Sequence, residues 1–444
     1  MPISVETDIT RKTLYAFAVV GLPDKAVEES RDRISAAIKN SGFSSPKSSN
    51  QKIVVSLAPA SVEKHGPSFD LAMALSYLMA NDELEFDAEG KIFLGELSLD
   101  GKIRPIRGVL PIARFAKANN FKELYVPEEN AEEAALIKGV KVFGVTNLGT
   151  LVKHLASEET LKHFPVTKLS EELAVTPTDF SDIRSQERAK RGLLIAAAGG
   201  HNVAMYGPPG TGKTMLAKAF AGILPRLTFE ETLEATGIHS VAGTLQETFI
   251  TNPPFRSPHH TASYVSLVGG GTTPRPGEIT LAHHGVLFMD EFPEFERRVI
   301  ESLRQPLEDK VIAVARAKGT AHFPANVLLV AAMNPCPCGN YGFRGKPCIC
   351  TPAALQRYRR KMSGPIVDRI DIWLEVDRIQ PAELGSAGAT GAESKIFREK
   401  VAKARKIQAE RFKEKKIRKN GEMSARDLVT TIFLEKEVEK ILNL

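Results

Sequence analysis

The octapeptide Gly207-Pro208-Pro209-Gly210-Thr211-Gly212-Lys213-Thr214 constrains this chain more than any other stretch. It satisfies G-x-x-x-x-G-K-[ST] at every fixed position. The glycines of such a loop let the backbone curl until successive N–H groups face a phosphate. The loop belongs between a strand and a helix, whose N-terminus adds partial positive charge. The flanks agree: Asn202-Val203-Ala204-Met205-Tyr206 reads as a strand, and Met215-Leu216-Ala217-Lys218-Ala219-Phe220 opens a helix. Lys213 is then placed for the β- and γ-phosphates and Thr214 for Mg²⁺. A chance glycine-rich turn would not explain both flanks.

A phosphate loop that supports hydrolysis needs carboxylates, and Gly285-Val286-Leu287-Phe288-Met289-Asp290-Glu291 supplies them. Its continuous apolar run predicts a buried parallel strand with both acids at its end. Asp290 is expected in the Mg²⁺ shell, and Glu291 is expected to orient or deprotonate a water. A third apolar run, Asn326 to Met333, ends at Asn334. Its amide can sense the γ-phosphate or place the water, although an Asn before Pro335 also suits a plain turn.

Residues 185–380 therefore form one α/β unit. Residues 1–160 form another, with strands at Ala16–Val20, Ile53–Leu57 and Val140–Val145 and helices at Ala26–Lys39 and Leu71–Met79. The polar, proline-containing stretch 161–184 is expected to link them. Residues 381–444 begin with a Gly/Ala/Ser-rich loop at 384–392. A basic stretch, 395–419, follows with Phe397, Val401, Ala404 and Gln408 on one face. It is expected as an amphipathic helix with a solvated basic face, the alternative being a nucleic-acid contact. A length of 444 residues suits about three such domains.

Charge is nearly balanced, with 59 Lys and Arg against 53 Asp and Glu. A net +6 permits nucleic-acid binding without arguing for it. No apolar stretch is long enough to span a membrane, and the first residues lack a basic region followed by an apolar core. The expected location is the cytoplasm. All four cysteines fall between 336 and 350, as Cys336-Pro337-Cys338 and Cys348-Ile349-Cys350. Two short chelating pairs suit a closed, tetrahedral structural zinc site, with Gly339, Gly342 and Gly345 freeing the intervening loop. Four free thiols are the alternative.

The words between these motifs resemble the magnesium-chelatase-like branch of the AAA+ ATPases, and within it the ComM/YifB-type family. They include Phe255-Arg256-Ser257-Pro258-His259-His260-Thr261, Pro274-Arg275-Pro276-Gly277-Glu278 and Leu281-Ala282-His283-His284-Gly285. Val19-Val20-Gly21-Leu22-Pro23-Asp24 and Gly66-Pro67-Ser68-Phe69-Asp70 carry the resemblance into the N-terminal region. It implies a P-loop AAA+ domain, a parallel sheet flanked by helices, followed by a partial helical lid. Preceding it would be a Lon-protease-like α+β domain of the ribosomal S5 domain 2-like type. The implied activity is that of an ATP- and Mg²⁺-dependent motor, a homo-oligomeric and hexameric ring. In this family such motors are implicated in DNA branch migration when transforming DNA is recombined.

A ring also implies an arginine donated to a neighbour's nucleotide. The matching segment, Gly364 to Asp371, nominates Arg369, with Arg359 and Arg360 behind it; a local ion pair with Asp368 or Asp371 is the alternative. Relatives begin earlier and continue past Leu444 through a helix carrying a lid arginine. Lys64-His65-Gly66-Pro67-Ser68 resembles the serine loop of Lon, but Val109-Leu110-Pro111-Ile112 stands where its lysine is required. A non-proteolytic domain is expected, with Ser68 as a loop or cap residue. The histidine pairs 259–260 and 283–284 have no carboxylate or cysteine at ligand spacing and are expected to be structural or interfacial. The segment 239–280 is expected as an insertion facing a pore, with Arg256 and Arg275 as DNA contacts. A chelatase-like protein-remodelling subunit and an ATP-dependent protease are the competing functions.

Overall fold

The computed structural model describes residues 1–169, 178–271, 274–316, 319–343, 346–362, 364–378, 393–415, 417–432 and 435–442. The expected loop at 384–392, Pro177 and Gly345 lie outside them. The chain divides into two compact units, Met1–Glu171 with Thr236–Phe249, and Glu172–Ala235 with Ile250–Leu444.

The first unit is built on two three-stranded sheets. In one, Gln51–Ala58 is central, antiparallel to Ser4–Arg11 and parallel to Ala16–Val20. Alternation along the central strand buries Gln51, Ile53, Val55 and Leu57 on one face. Helices Lys25–Asn40 and Asp70–Ala80 complete that core through Val27, Ile34, Ile38, Leu71, Leu75 and Leu78. The first helix starts where the Asp24 carboxylate accepts the Val27 N–H, an N-cap. The strand at Ser4–Arg11 has no apolar run to announce it; only alternate residues, Val5, Thr7 and Ile9, are half-buried. The second sheet is parallel, with Glu123–Pro127 between Lys91–Phe93 and Lys141–Val145. Its three strands each give one ring to a stack, Phe93 on Tyr125 on Phe143, with centroids 4.8 Å apart at both steps.

Described residues of the stretch expected as a polar linker pack into each of the two units. Phe164 and Thr167 donate backbone bonds to Val142 and Ala135 in the first unit. In the second unit Phe180 is fully buried and tilted against Phe397.

The second unit carries a five-stranded sheet, all parallel. Its spatial order is Phe255–Arg256, Val286–Met289, Leu328–Met333, Val203–Tyr206, Ile372–Glu375. This is the mixed α/β fold with a P-loop domain expected from the sequence. Both faces are covered, so strand residues such as Val203, Phe288 and Val330 are fully buried. Each such side chain contributes roughly 1.5–3 kcal/mol relative to exposure. Val203–Tyr206 is the first strand in sequence yet sits between the fourth and the fifth. The chain therefore reverses its winding there, and parallel sheets bind ligands at the carboxyl ends beside such a point.

Helix Glu393–Arg411 packs against helices Glu187–Gly199 and Lys213–Ile223. The expected fully solvated basic face is corrected, because two of its arginines are turned onto neighbouring helices. Arg398 donates twice to Gly222 O and Arg405 twice to Ala197 O, the carbonyl-rich ends of those two helices. Cations are favoured there because the last carbonyls lack helical partners.

Candidate nucleotide-binding site

The phosphate loop leaves the end of Val203–Tyr206, and helix Lys213–Ile223 begins inside it. Gly210 and Gly212 hold φ of 78° and 89°, the left-handed region that residues with a Cβ rarely occupy. No atom lies within 4 Å of where either Cβ would be, so the loop is an open cradle. Gly207 is required for a different reason: a Cβ there would stand 2.0 Å from Val376 O.

Lys213 is buried in this cradle, its ammonium donating to Gly207 O at 2.7 Å and Pro208 O at 2.8 Å. It also reaches Asn334 Oδ1 at 3.3 Å, so the amide expected at the tip of Leu328–Met333 meets the phosphate loop. Burial lowers the Lys213 pKa, and the charge of Asp290 opposes that shift. Thr214 Oγ1 donates to Asp290 Oδ2 at 2.8 Å. These are the two groups expected around Mg²⁺, brought together from helix and strand ends. The fit to a triphosphate with its divalent ion is therefore good: an open glycine cradle, a cation without a direct carboxylate partner among the described residues, and a hydroxyl–carboxylate pair.

Glu291 follows Asp290 with φ of 52°. A non-glycine residue in this region costs about 1–3 kcal/mol, so its carboxylate is aimed by a bend that the neighbouring structure maintains. That carboxylate lies 3.0 Å from His260 Nδ1. Tyr358 donates its hydroxyl to Asn334 O at 3.0 Å and is kept protonated, its pKa pushed up by burial and then by Glu294. Tyr358 carries no local signal that would single it out, and His260 stands out in the sequence only as one of a histidine pair without a carboxylate at ligand spacing. Both reach the site through contacts distant in sequence.

Arg369 is elsewhere. Its carbonyl accepts from Asn202 Nδ2 at 2.9 Å, beside the start of Val203–Tyr206, whereas the phosphate loop leaves the end of that strand. Four strand residues, roughly 13 Å of rise, separate the two levels. The local partner suggested from sequence is corrected: Arg369 pairs with Glu308, not with Asp368 or Asp371. Arg256 is likewise engaged, gripped by both Glu278 oxygens at 2.7 and 2.8 Å because strand and helix ends juxtapose them.

The histidines need a further correction, since folding supplies the carboxylates that sequence spacing lacks. Glu234 Oε2 lies 3.2 Å from His283 Nε2 and 2.7 Å from His284 Nε2. This cluster has metal-like composition, yet its hydrogen bonding argues against a metal. His283 Nδ1 accepts the Asn326 N–H at 3.0 Å, so Nε2 carries the proton and donates to Glu234. Burial, then the His284 charge, lowers the His283 pKa to about 4, keeping that ring neutral. Burial alone would raise the Glu234 pKa, but the bonds from the two imidazoles bring it below its usual value.

The four cysteines converge. One sulfur from each lies within 4.8 Å of the others, with Cys336–Cys338 at 3.3 Å, Cys338–Cys348 at 3.6 Å and Cys336–Cys348 at 3.8 Å. Tetrahedral ligands at a metal–sulfur distance of about 2.3 Å stand about 3.8 Å apart, so the set can take a metal ion. The backbone N–H groups of Asn340 and Ile349 lower the Cys338 pKa to about 6, while burial pushes that of Cys350 up to about 12.

In the first unit, Ser68 sits in a single turn, Pro67–Phe69, ahead of helix Asp70–Ala80. Among the described residues no base is hydrogen-bonded to its hydroxyl. It does not cap the helix either, since Phe69 occupies the cap position without a side-chain bond.

A family model described as magnesium chelatase, subunit ChlI, matches residues 179–384, and one described as subunit ChlI of Mg-chelatase matches residues 5–130. The competence protein ComM of Haemophilus influenzae is 41% identical over 439 residues, covering 96% of this chain and 84% of ComM. The uncharacterised protein YifB of Escherichia coli is 41% identical over 414 residues, covering 92% of this chain and 80% of YifB. Lon protease 2 of Bacillus subtilis is 30% identical over 164 residues, which are 35% of this chain and 30% of the protease.

Proposed function

The chain belongs to the ComM/YifB-type, magnesium-chelatase-like family of AAA+ proteins, and on that premise we propose that it is an ATP-hydrolysing motor that remodels DNA in recombination. The observation that carries the nucleotide reading is the meeting of Lys213, Thr214, Asp290 and Asn334 at the carboxyl ends of three adjacent parallel strands. The DNA substrate is supported by the match to a competence protein along nearly the whole chain.

In this reading the loop 207–214 wraps the triphosphate with its N–H groups, and Lys213 exchanges two backbone carbonyls for β- and γ-phosphate oxygens. Thr214 and Asp290 would hold Mg²⁺, which would supply neutralisation of the charge on those phosphates. Glu291 orients and deprotonates the attacking water, and Asn334 steadies that water or the γ-phosphate. Arg369 is assigned to the nucleotide of the neighbouring subunit in a ring, where it neutralises charge developing during transfer. Cys336, Cys338, Cys348 and Cys350 would hold a zinc ion that braces the loop structurally. The first unit acts as a non-proteolytic platform.

The test is ATP hydrolysis by the full chain with and without branched DNA, with Lys213→Ala as control. DNA-stimulated turnover that disappears in the variant is expected. Absence of hydrolysis removes the enzymatic claim. Turnover indifferent to DNA, with a protein partner recovered instead, transfers the motor to a chelatase-like role.

A further inference from the structure

The cysteine cluster and the phosphate loop are distant in sequence but lean on one another. Asn334, whose side chain accepts from Lys213 at 3.3 Å, stands two residues before Cys336. The turn that follows, residues 336–343, meets the nucleotide site at three further points. Gly339 lies so near Pro209 of the phosphate loop that a Cβ on it would stand 2.5 Å from Pro209 Cδ. Phe343 meets Tyr206, the last residue of the strand that feeds the loop, edge-on with ring centroids 6.3 Å apart. Asn340 Oδ1 accepts from Arg378 at 2.9 Å, two residues beyond the Val376 carbonyl that Gly207 packs against. The entrance of the phosphate loop, its middle and the strand behind it are thus each tied to this one turn.

The turn is itself shaped by its sulfurs. Gly339 donates its N–H to Cys336 O at 2.9 Å, Phe343 to Asn340 O at 3.3 Å, and Tyr341 to Cys336 Sγ at 3.4 Å. Cys336 and Cys338 then join the turn to Cys348 and Cys350, whose sulfurs lie within 4.8 Å of theirs. Four thiolates at such distances repel, and a divalent ion among them converts that repulsion into a fixed closure. We propose that a metal ion held by these cysteines controls nucleotide affinity, by locking the turn 336–343 against the phosphate loop in the shape that binds a triphosphate. This rests on the ATP reading and adds to it a control by metal occupancy. Coupling between two sites is reciprocal, so nucleotide must tighten the hold on the metal by the factor by which the metal tightens nucleotide. A metal that only staples its own loop has no such consequence.

The experiment uses the full chain loaded with zinc and a fluorescent ATP analogue with Mg²⁺. Analogue affinity is measured before zinc is stripped by a chelator that ignores Mg²⁺, after stripping, and after zinc is returned. Stripping is expected to weaken binding by about tenfold, within the roughly 5–150-fold of ordinary couplings, and zinc to restore it. On the loaded chain, saturating analogue should raise zinc affinity by the same factor, read by competition with the chelator. Two glycine variants separate contact from backbone strain. Gly339 and Gly342 both take left-handed φ, 76° and 80°, but only at Gly339 would a Cβ strike the phosphate loop, since nothing lies within 4 Å of one at Gly342. Compared as zinc-loaded chains, Gly339→Ala should bind the analogue about tenfold more weakly than Gly342→Ala, a coupling-sized effect passed through one contact. Thermal unfolding confirms that each form is folded. Analogue affinity indifferent to stripping, a loss that zinc does not restore, zinc affinity indifferent to the analogue, or equal behaviour of the two variants overturns the coupling while leaving the motor reading intact. A chain that takes up no zinc yet binds the analogue overturns it as well. A zinc-loaded chain that never binds the analogue removes the nucleotide reading and the coupling together.

Discussion

At the residue scale, the site depends on a buried cation, Lys213, and on an acid, Glu291, held in a left-handed backbone bend. Among the described residues no carboxylate pairs directly with Lys213, and its ammonium is satisfied by two loop carbonyls and the Asn334 amide. Asn334→Ala removes one acceptor and the expected γ-phosphate contact. It should lower ATP turnover by roughly tenfold or more while analogue binding persists, a split read by comparing kcat with affinity. Buried charge also sets a pH response in the first unit. Asp70 is fully buried, and burial outweighs its bonds from Arg33 to raise its pKa from 3.8 to about 6. Between about pH 4 and 6 the folded chain keeps a proton that the unfolded chain releases. The contribution of this group is therefore largest below about pH 4 and declines as pH rises through 6. Asp70→Asn keeps the shape without the titration. Its stability relative to wild type, from urea unfolding, should improve steadily between about pH 4 and 7.

At the element scale, two loops depend on close approach. The phosphate loop runs against Val376 O so tightly that Gly207→Ala must displace either strand or loop. That overpacking should cost roughly 1–3 kcal/mol of stability and abolish measurable analogue binding, read by thermal unfolding and titration. The cysteine loop is anchored at few points besides its thiols. In it Cys336 is buried and the other three cysteines are only half-buried, while Phe343 meets Tyr206 edge-on and Asn340 accepts from Arg378. Metal analysis of purified protein should find about one zinc per chain. Cys338→Ser or Cys350→Ser should lose it, with proteolysis then cutting between 336 and 350. A metal-free wild type with the same protease resistance would return these residues to plain thiols.

At the scale of the whole molecule, the separation of Arg369 from the phosphate loop of its own chain becomes a prediction about assembly. Its carbonyl sits at the opposite end of the Val203–Tyr206 strand from that loop. An arginine acting on a neighbour's nucleotide can be supplied by a different subunit. Arg369→Ala should lower turnover by roughly a thousandfold, the scale of a missing arginine finger. Mixing Arg369→Ala with Lys213→Ala chains should restore part of the activity, because some interfaces then pair an intact loop with an intact arginine. No recovery at any ratio would place Arg369 in a purely local pairing with Glu308.

The sequence by itself determined the identity of the phosphate loop, its carboxylate strand, the four clustered cysteines and the alternation of strands and helices. Each of these is written in adjacent residues, where backbone freedom, apolar periodicity and ligand spacing act locally. It did not reveal that Ser4–Arg11 is a strand, because a half-buried edge needs only alternate partial burial. Nor could it pair His260 with Glu291, Glu234 with two histidines, Arg256 with Glu278, or Arg369 with Glu308. Those contacts join residues 22 to 61 positions apart. They exist only once parallel strands bring their ends into register, so tertiary structure alone decided which charges meet.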